Sequence, residues 1–144
     1  MSGQKTFTLS KGERLCSKTL IDRLFLGHSA RKREWPIQVV YQVVERNGEQ
    51  DAPVEMMVSV SKRHFKRAVK RNLVKRQLRE SYRLHKHILI DAMTEHADGK
   101  LLVAFIWMSG NICATSDVDA AMEKALRKVL DSLDFQEKYS SELK

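Results

Sequence analysis

The sequence has few of the residues that crosslink or interrupt small proteins: two cysteines, two prolines and six glycines among 144 residues. Cys16 and Cys113 are too few for a disulfide framework, and free thiols favour a reducing cytoplasm. The longest apolar run, Leu101–Met108, has eight residues, whereas a bilayer span needs about 20. The opening MSGQKTFTLS lacks the basic-then-apolar pattern of an export signal. We therefore expect a cytoplasmic protein that does not span a membrane.

The composition is typical of a single globular domain. Hydrophobic residues make up 42% of the chain and charged residues 31%, which favours a folded protein over a disordered one. A chain of 144 residues can bury a sizeable core without disulfides. We expect one domain over residues 1–144, with an ordered core at about 7–133 and a frayed polar tail at 134–144.

Positive charge is concentrated in one segment. The net charge is +8 and the pI is near 9.7, but Ser61 to His87 alone contains eleven Lys or Arg and one acid, Glu80. This segment contributes +10, so the rest of the chain sums to −2. A solvated face usually mixes charges of both signs, whereas a block of one sign is typical of a polyanion partner. Nucleic acid is the partner class that the pattern favours.

Hydrophobic periodicity predicts helices and strands in alternation. A first helix is expected from about Ser17 to Phe25, with Gly27 at its C-terminal end. Ile37–Val44 and Val54–Val60 are rich in strand-forming residues, and the turn sequence between them predicts an antiparallel hairpin.

The second half of the chain predicts one more strand and two more helices. Residues from about Phe65 to Met93 follow helical spacing, and Leu101–Met108 is expected to be a strand buried on both faces. Ser116 with Asp119 gives a capping-box-like start for the last helix. With a short strand added near 31–35, the order is α-β-β-(β)-α-β-α.

The basic segment is predicted to be an amphipathic helix. The apolar stripe comprises Val74, Leu78, Tyr82, His85, Leu89 and Ala92. The opposite, outward side comprises Asn72, Lys75, Arg76, Arg79, Arg83 and Lys86. Cations in this arrangement can follow a phosphate backbone, and Arg adds bidentate geometry. The amide of Asn72 either contacts sugar, base or water there, or caps the helix start locally.

No pattern indicates catalysis by the protein's own side chains. Ser59 and Ser61 have no His–acid pairing visible in the sequence. His85 and His87 alternate in a helix and point about 200° apart, so they cannot share a metal ion. Neither paired Cys/His zinc spacing nor a phosphate-binding glycine loop is present in the sequence. We expect no catalytic residue, no metal site and no cofactor in the protein itself.

The segment VSVSKRHFKRAVKRNLVKRQLRESYRL (Val58–Leu84) resembles the signature region of the bacterial ribonuclease P protein family. That family has a strand ending in S-V-(S/A)-K-K, a short basic linker, and a helix close to R-N-R-x-K-R-x-x-R-E. The opening Phe7–Lys11, with Arg14 and Leu15, also resembles the family's N-terminus. The matching positions in the signature are Ser59, Val60, Ser61, Lys62, Arg63, Arg71, Asn72, Lys75, Arg76, Arg79 and Glu80.

The resemblance implies a fold and a role. The fold is α+β, a single-domain two-layer sandwich like domain 2 of ribosomal protein S5, with the basic helix in a left-handed βαβ crossover. The role is that of an accessory subunit, which binds the catalytic RNA and helps it remove the 5′ leader from precursor tRNA. The RNA, with bound Mg²⁺, would perform the hydrolysis. No membrane and no small-molecule substrate are implied. The implied RNA-binding residues are Lys62, Arg63, Arg67, Arg71, Asn72, Lys75, Arg76 and Arg79.

The resemblance also implies a cleft for the single-stranded leader between the first helix and the sheet. The candidates for leader contacts are Phe25, Tyr41, Ser59 and Ser61. Aromatic faces can stack on unpaired bases of any sequence. Ordinary core packing is the alternative for both Phe25 and Tyr41.

Three positions depart from the family pattern. Leu73 stands where the second Arg of R-N-R is common, which removes one cation. Ile21 stands where the first helix often has another aromatic residue. Trp107 lies where relatives often have a basic residue, and either stacking or core packing would suit it.

Three other functions fit parts of the pattern. A ribosomal or other structural RNA-binding protein would share the charge distribution without a preference for leader-bearing tRNA precursors. A DNA-binding module would use the helix in a major groove, but the helix has few short polar residues to read base edges. Binding to a membrane surface would need an unpartnered apolar face, and the other elements can cover that face.

Overall fold

A computed structural model describes residues 11–48, 51–95 and 99–142, with side chains as far as Leu133. The family-like residues Phe7–Ser10 lie outside this part of the chain, so the predicted start of the core at about residue 7 is not described. A short 3₁₀ turn at Lys11–Glu13 precedes the main elements. These are α1 (Lys18–Leu26), β1 (Ala30–Glu34), β2 (Ile37–Glu45), β3 (Val54–Val60), α2 (Ala68–His85), α3 (His87–Thr94), β4 (Gly99–Trp107) and α4 (Thr115–Glu142).

The four strands form one sheet in the order β1-β2-β4-β3. β2 pairs antiparallel with both β1 and β4, whereas β3 pairs parallel with β4. The predicted hairpin between β2 and β3 is therefore wrong, because β4 lies between them. Nearly every residue of β4 is buried, as its apolar sequence predicts, and a strand buried on both faces is most stable in the middle of a sheet. The hairpin in the fold joins β1 to β2 through the two-residue turn Trp35–Pro36.

The connection from β3 to β4 contains the basic helix. β3 and β4 are parallel neighbours, and α2 and α3 form the crossover between them. This confirms the implied βαβ unit; its left-handedness stays a prediction.

Helices cover both faces of the sheet. The larger core lies between the sheet and α2–α4, and it contains Val74, Leu78 and Tyr82 of the predicted helical stripe. The smaller core lies under α1, where Leu24 packs with Val40. Alternate residues of β2, β3 and β4 contribute to opposite cores, as the pleat of a strand requires. The predicted α+β sandwich is confirmed, and α1 adds a partial layer on its second face.

The helix boundaries follow the sequence at α1 and differ from it elsewhere. Ser17 caps α1 by accepting a hydrogen bond from the Leu20 backbone N–H at 3.4 Å, and Gly27 ends the helix as predicted. The single helix predicted up to Met93 is two helices, α2 and α3, which meet at Lys86. α4 is helical through residue 142, so it continues past the point where the sequence suggests fraying.

Candidate RNA-binding surfaces

α2 is amphipathic, with cations on its outer side and apolar residues on the side that faces the core. Val74, Leu78 and Tyr82 are fully buried, whereas Arg76 and Arg79 are exposed to solvent. Among the other predicted contact residues of α2, Asn72 is exposed and Lys75 and Arg71 are half-buried. The helical-face prediction is thus confirmed for the part of the helix before Arg83. No side chain caps α2, so the structure gives no support to a local capping role for Asn72.

The linker between β3 and α2 continues this face. Ser61 to Arg67 leads from the sheet to the helix, and buried Phe65 attaches it to the core. The Ser61 hydroxyl accepts a hydrogen bond from the backbone N–H of Arg63 at 3.0 Å. Arg71 donates from one guanidinium nitrogen to the Phe65 and Lys66 carbonyls, at 2.8 and 2.9 Å. Arg71 therefore holds the linker in shape, a role that its place in the sequence motif does not indicate.

Most cations of this surface have no acidic partner among the residues whose side chains the structure describes. Glu80 pairs with Arg83 at 3.0 Å and so does not oppose the cations nearer the start of the helix. Arg71 bonds to backbone carbonyls rather than to an acid. Within the described part of the chain, no acidic side chain pairs with the remaining exposed or half-buried cations of the linker and α2. These cations are Lys62, Arg63, Lys66, Arg67, Lys70, Lys75, Arg76 and Arg79. We call them, with Arg71 and Asn72, the cationic surface. Adjacent like charges repel each other, so the binding of a polyanion, which neutralises them, is favourable.

Lys86 does not belong to this surface, although the helical spacing predicts it there. It is 5% exposed, and its ammonium group lies 2.8 and 3.1 Å from the two carboxylate oxygens of Glu13. The break between α2 and α3 occurs at this residue, which redirects its side chain from the predicted outward face. Lys86 thus ties the 3₁₀ turn to the crossover.

A cleft lies at the start of the cationic surface. It has a volume of about 370 Å³ and separates the linker from the loop after β4. Lys66, Arg67 and Lys70 contribute its positive side, and Asn111 and Ile112 line the other. This places three of the unneutralised cations around one concave feature.

The sheet offers a second surface beside α1. Four residues face each other across the strands in one row: Arg33 of β1, Gln38 of β2, Ile106 of β4 and Ser59 of β3. Directly paired residues share a face of the sheet, and Ile106 packs at the edge of the smaller core under α1. Arg33 is exposed and the other three are half-buried. We call this row, together with the exposed Arg31, the open sheet row; Arg31 pairs with Val40 on the same face.

The predicted leader residues fall into two groups. Phe25 is half-buried against the smaller core, on the same face as Ser59, and Ser61 directly follows β3. Tyr41 does not fit the predicted role, because it is 2% exposed and packs in the larger core on the other face. Trp107 is 1% exposed in the same core, which favours the packing alternative.

The sequence pattern does not indicate the basic and polar members of the open sheet row, Arg31, Arg33 and Gln38. It predicts β1 only as a short strand near 31–35, without its partners in the sheet. The alternation of ARKRE in β1 would have placed Arg31 and Arg33 on one face, but their neighbours across the sheet depend on the strand order.

No three or more His, Cys, Asp or Glu side chains among the described residues form a group that could hold a metal ion. No helix in the described part of the chain is both long enough and apolar enough to cross a membrane.

Comparison with known proteins decides the family. The family profile described as Ribonuclease P matches residues 9–133. The chain belongs to the ribonuclease P protein family. A ribonuclease P protein component of Porphyromonas gingivalis is 39% identical over 129 residues, which are 90% of this chain and 91% of the relative. One from Chlorobaculum tepidum is 34% identical over 112 residues, covering 74% of this chain and 71% of the relative.

Solved structures agree with the fold. The RNase P protein of Staphylococcus aureus matches with a TM-score of 0.57 at 21% identity, covering 81% of this chain and 94% of that one. A mutant of the same protein matches with a TM-score of 0.60 at 19% identity, covering 83% and 89%. Family membership makes the chain the RNA-binding protein component of ribonuclease P, an endoribonuclease that processes the 5′ leader of precursor tRNA.

Proposed function

We propose that the cationic surface binds the catalytic RNA, while the open sheet row with Phe25 holds the single-stranded 5′ leader of precursor tRNA. One observation carries the first half: eight cations without an acidic partner among the described residues lie on one linker and one helix. Phosphate contacts by Lys and Arg give affinity without sequence preference, which suits a structured RNA.

The leader proposal depends on how the two surfaces join. Ser59 lies at the end of the row, and the chain then runs through Ser61 into the basic linker. Catalytic RNA bound to the cationic surface would therefore hold the precursor tRNA close to the open sheet row. Arg33 offers charge to a phosphate, while Gln38 and Ser59 offer hydrogen bonds. Phe25 offers an aromatic surface to an unpaired base.

In this proposal the protein acts in the cytoplasm and holds substrate and RNA together, while the RNA performs the hydrolysis with bound Mg²⁺. A metal ion bound by RNA can activate the attacking water and offset charge on the phosphate. The protein's own cations reduce the repulsion between two polyanions. The need for Mg²⁺ should then fall when the protein is present.

The RNA-binding half is tested by salt titration of catalytic RNA binding. Arg76→Ala and Arg79→Ala should each reduce the slope of log affinity against log salt by about 0.7–0.9, one phosphate contact each. Arg127→Ala is the matched control, because Arg127 is an exposed arginine of α4 that pairs with Glu123 at 3.2 Å. Unchanged slopes in both α2 variants would remove these residues from the contact surface.

The leader half is tested in the holoenzyme with substrates of different leader length. Phe25→Ala and Arg33→Ala should reduce the preference for a leader of several nucleotides over one nearly absent. A loss that is equal for both substrates would assign these residues to RNA-subunit binding or to the fold instead.

A further inference from the structure

The indole of Trp35 lies largely in solvent. Among the aromatic residues whose side chains the structure describes, Trp35 is 63% exposed and Phe25 is half-buried. The remaining ones are buried: Tyr41, Phe65, Tyr82, Phe105 and Trp107. The core therefore makes little use of the indole of Trp35, although it buries the other indole of the chain, that of Trp107. Only Trp35 and Phe25 of this group can offer a ring to an unpaired base.

The turn that carries Trp35 is held on both sides. Pro36, the other residue of the turn, is buried, and its carbonyl accepts a hydrogen bond from the Met108 backbone N–H at 2.8 Å. On the β1 side, the Lys128 ammonium lies 2.7 Å from the Glu34 carboxylate and 2.9 Å from the Arg33 carbonyl oxygen. The exposed indole thus sits on a fixed turn. A ligand that stacks on it does not have to order the backbone first.

The β1–β2 turn also lies at the same end of the sheet as Ser59 and the start of the basic linker. Ile37 and Val60 both pair with Trp107, so the β1–β2 turn and the last residues of β3 lie at the same end of the strands. At this end, the open sheet row runs from Ser59 across the sheet to Arg33, two residues before Trp35. Four strands at about 4.8 Å spacing make the row roughly 14 Å long. A strand of RNA that crosses it from the cationic surface arrives at β1.

The chemistry around Trp35 suits single-stranded RNA. Arg31 and Arg33, on the same strand, are exposed cations, and within the described residues neither forms a side-chain ion pair. The nearest acid in sequence, Glu34, forms an ion pair with Lys128. Alternating guanidinium groups beside an aromatic ring are the features that bind unpaired nucleotides without base preference.

We propose that Trp35 is a stacking platform for an unpaired base of the 5′ leader, upstream of the nucleotides held by Phe25 and Ser59. The inference rests on the proposed leader function and extends it to a residue on the opposite edge of the sheet from β3. It names the ligand as a single-stranded nucleotide and predicts that the leader must be long enough to cross the row.

Tryptophan fluorescence gives a direct readout of stacking. The chain has two tryptophans, and Trp107 is 1% exposed, so quenching by a stacked base reports Trp35. Titration with a short single-stranded oligoadenylate should quench the wild-type emission in a saturable way. Trp35→Phe removes the exposed fluorophore and should abolish the quenching while it retains a ring for stacking.

The holoenzyme then tests whether this base belongs to the leader. Trp35→Ala should weaken binding of precursor tRNA by about fivefold or more when the leader spans the row, and Trp35→Phe should retain most of it. A one-nucleotide leader should bind both variants like wild type. Val43→Ala, an exposed apolar residue of β2 in register with Leu101 of the other core, is the matched control.

The outcomes separate this inference from the proposed function. If wild-type protein favours long leaders and Trp35→Ala behaves identically, the platform is refuted while the leader function stands. If Trp35→Ala weakens binding equally for both leader lengths, Trp35 contacts the catalytic RNA and the inference is again overturned. If wild-type protein has no effect on cleavage of either substrate, the proposed function itself fails.

Discussion

Replacing Lys86 distinguishes a cation that stabilises the fold from the cations that we propose to bind RNA. Its ammonium is 2.8 Å from Glu13, and the two side chains are only 6% and 16% exposed. At an effective dielectric of about 20, charges at this distance attract by about 6 kcal/mol, although the desolvation of both ions offsets much of that. Lys86→Met removes the attraction and leaves a mostly buried carboxylate. We expect the free energy of unfolding to fall by about 3 kcal/mol.

Denaturant unfolding measures this loss, and a thermal scan should place the midpoint roughly 10 °C lower. The double variant Lys86→Met with Glu13→Leu should recover most of the stability, because paired apolar side chains can replace a buried ion pair at little cost. The salt slope of RNA binding should not change in either variant, in contrast to Arg79→Ala. A stable Lys86→Met variant with a reduced salt slope would refute the assignment of Lys86 to the interior.

Three further predictions concern polar side chains that are wholly or partly buried. The Tyr82 hydroxyl is buried without a hydrogen-bond partner among the described residues, and burial, together with the charge of Glu13, raises the pKa of Tyr82. Tyr82→Phe should therefore be neutral or stabilise the fold by up to about 1 kcal/mol in denaturant unfolding. Burial alone would raise the pKa of Asp51, but the hydrogen bonds from Lys100 at 2.8 Å and from the Asn47 backbone N–H, together with the charges of Lys100 and Arg46, lower this pKa below its ordinary value. Asp51 thus adds stability above about pH 4 that is lost as the pH falls, and Asp51→Asn should flatten the stability curve between about pH 5 and pH 3. Arg71→Ala should expose the basic linker to added protease and weaken RNA binding by more than one phosphate contact accounts for, because two linker carbonyls lose their donor.

The sequence predicted the strands themselves better than it predicted which strands pair with each other. The apolar run of β4 predicted a strand buried on both faces, and that strand is central in the sheet. Its position between β2 and β3 could not be read from spacing, because the choice between a local hairpin and a distant strand depends on the packing of the whole sheet. The two-residue turn of the real hairpin contains a proline rather than the Asn-Gly pair that marks such turns in sequence.

Within the site, the wrong predictions concern residues whose orientation cannot be determined from periodicity along the chain. Val39, Val40 and Tyr41 are consecutive and all buried, so alternation along β2 does not reveal which face Tyr41 occupies. Lys86 lies at an outward position of an ideal helix, but a partner 73 residues away and a break without Pro or Gly bring it inside. By contrast, the exposure of Arg76 and Arg79 follows from helical spacing alone, because the apolar stripe fixes the orientation of α2.

Cleavage of precursor tRNA by the cognate catalytic RNA at low Mg²⁺, with and without this protein, tests the central claim most directly. The protein should stimulate cleavage strongly, and more for a substrate with a leader of several nucleotides than for one nearly lacking a leader. Tight RNA binding without stimulation would contradict the account and would leave a structural RNA-binding role.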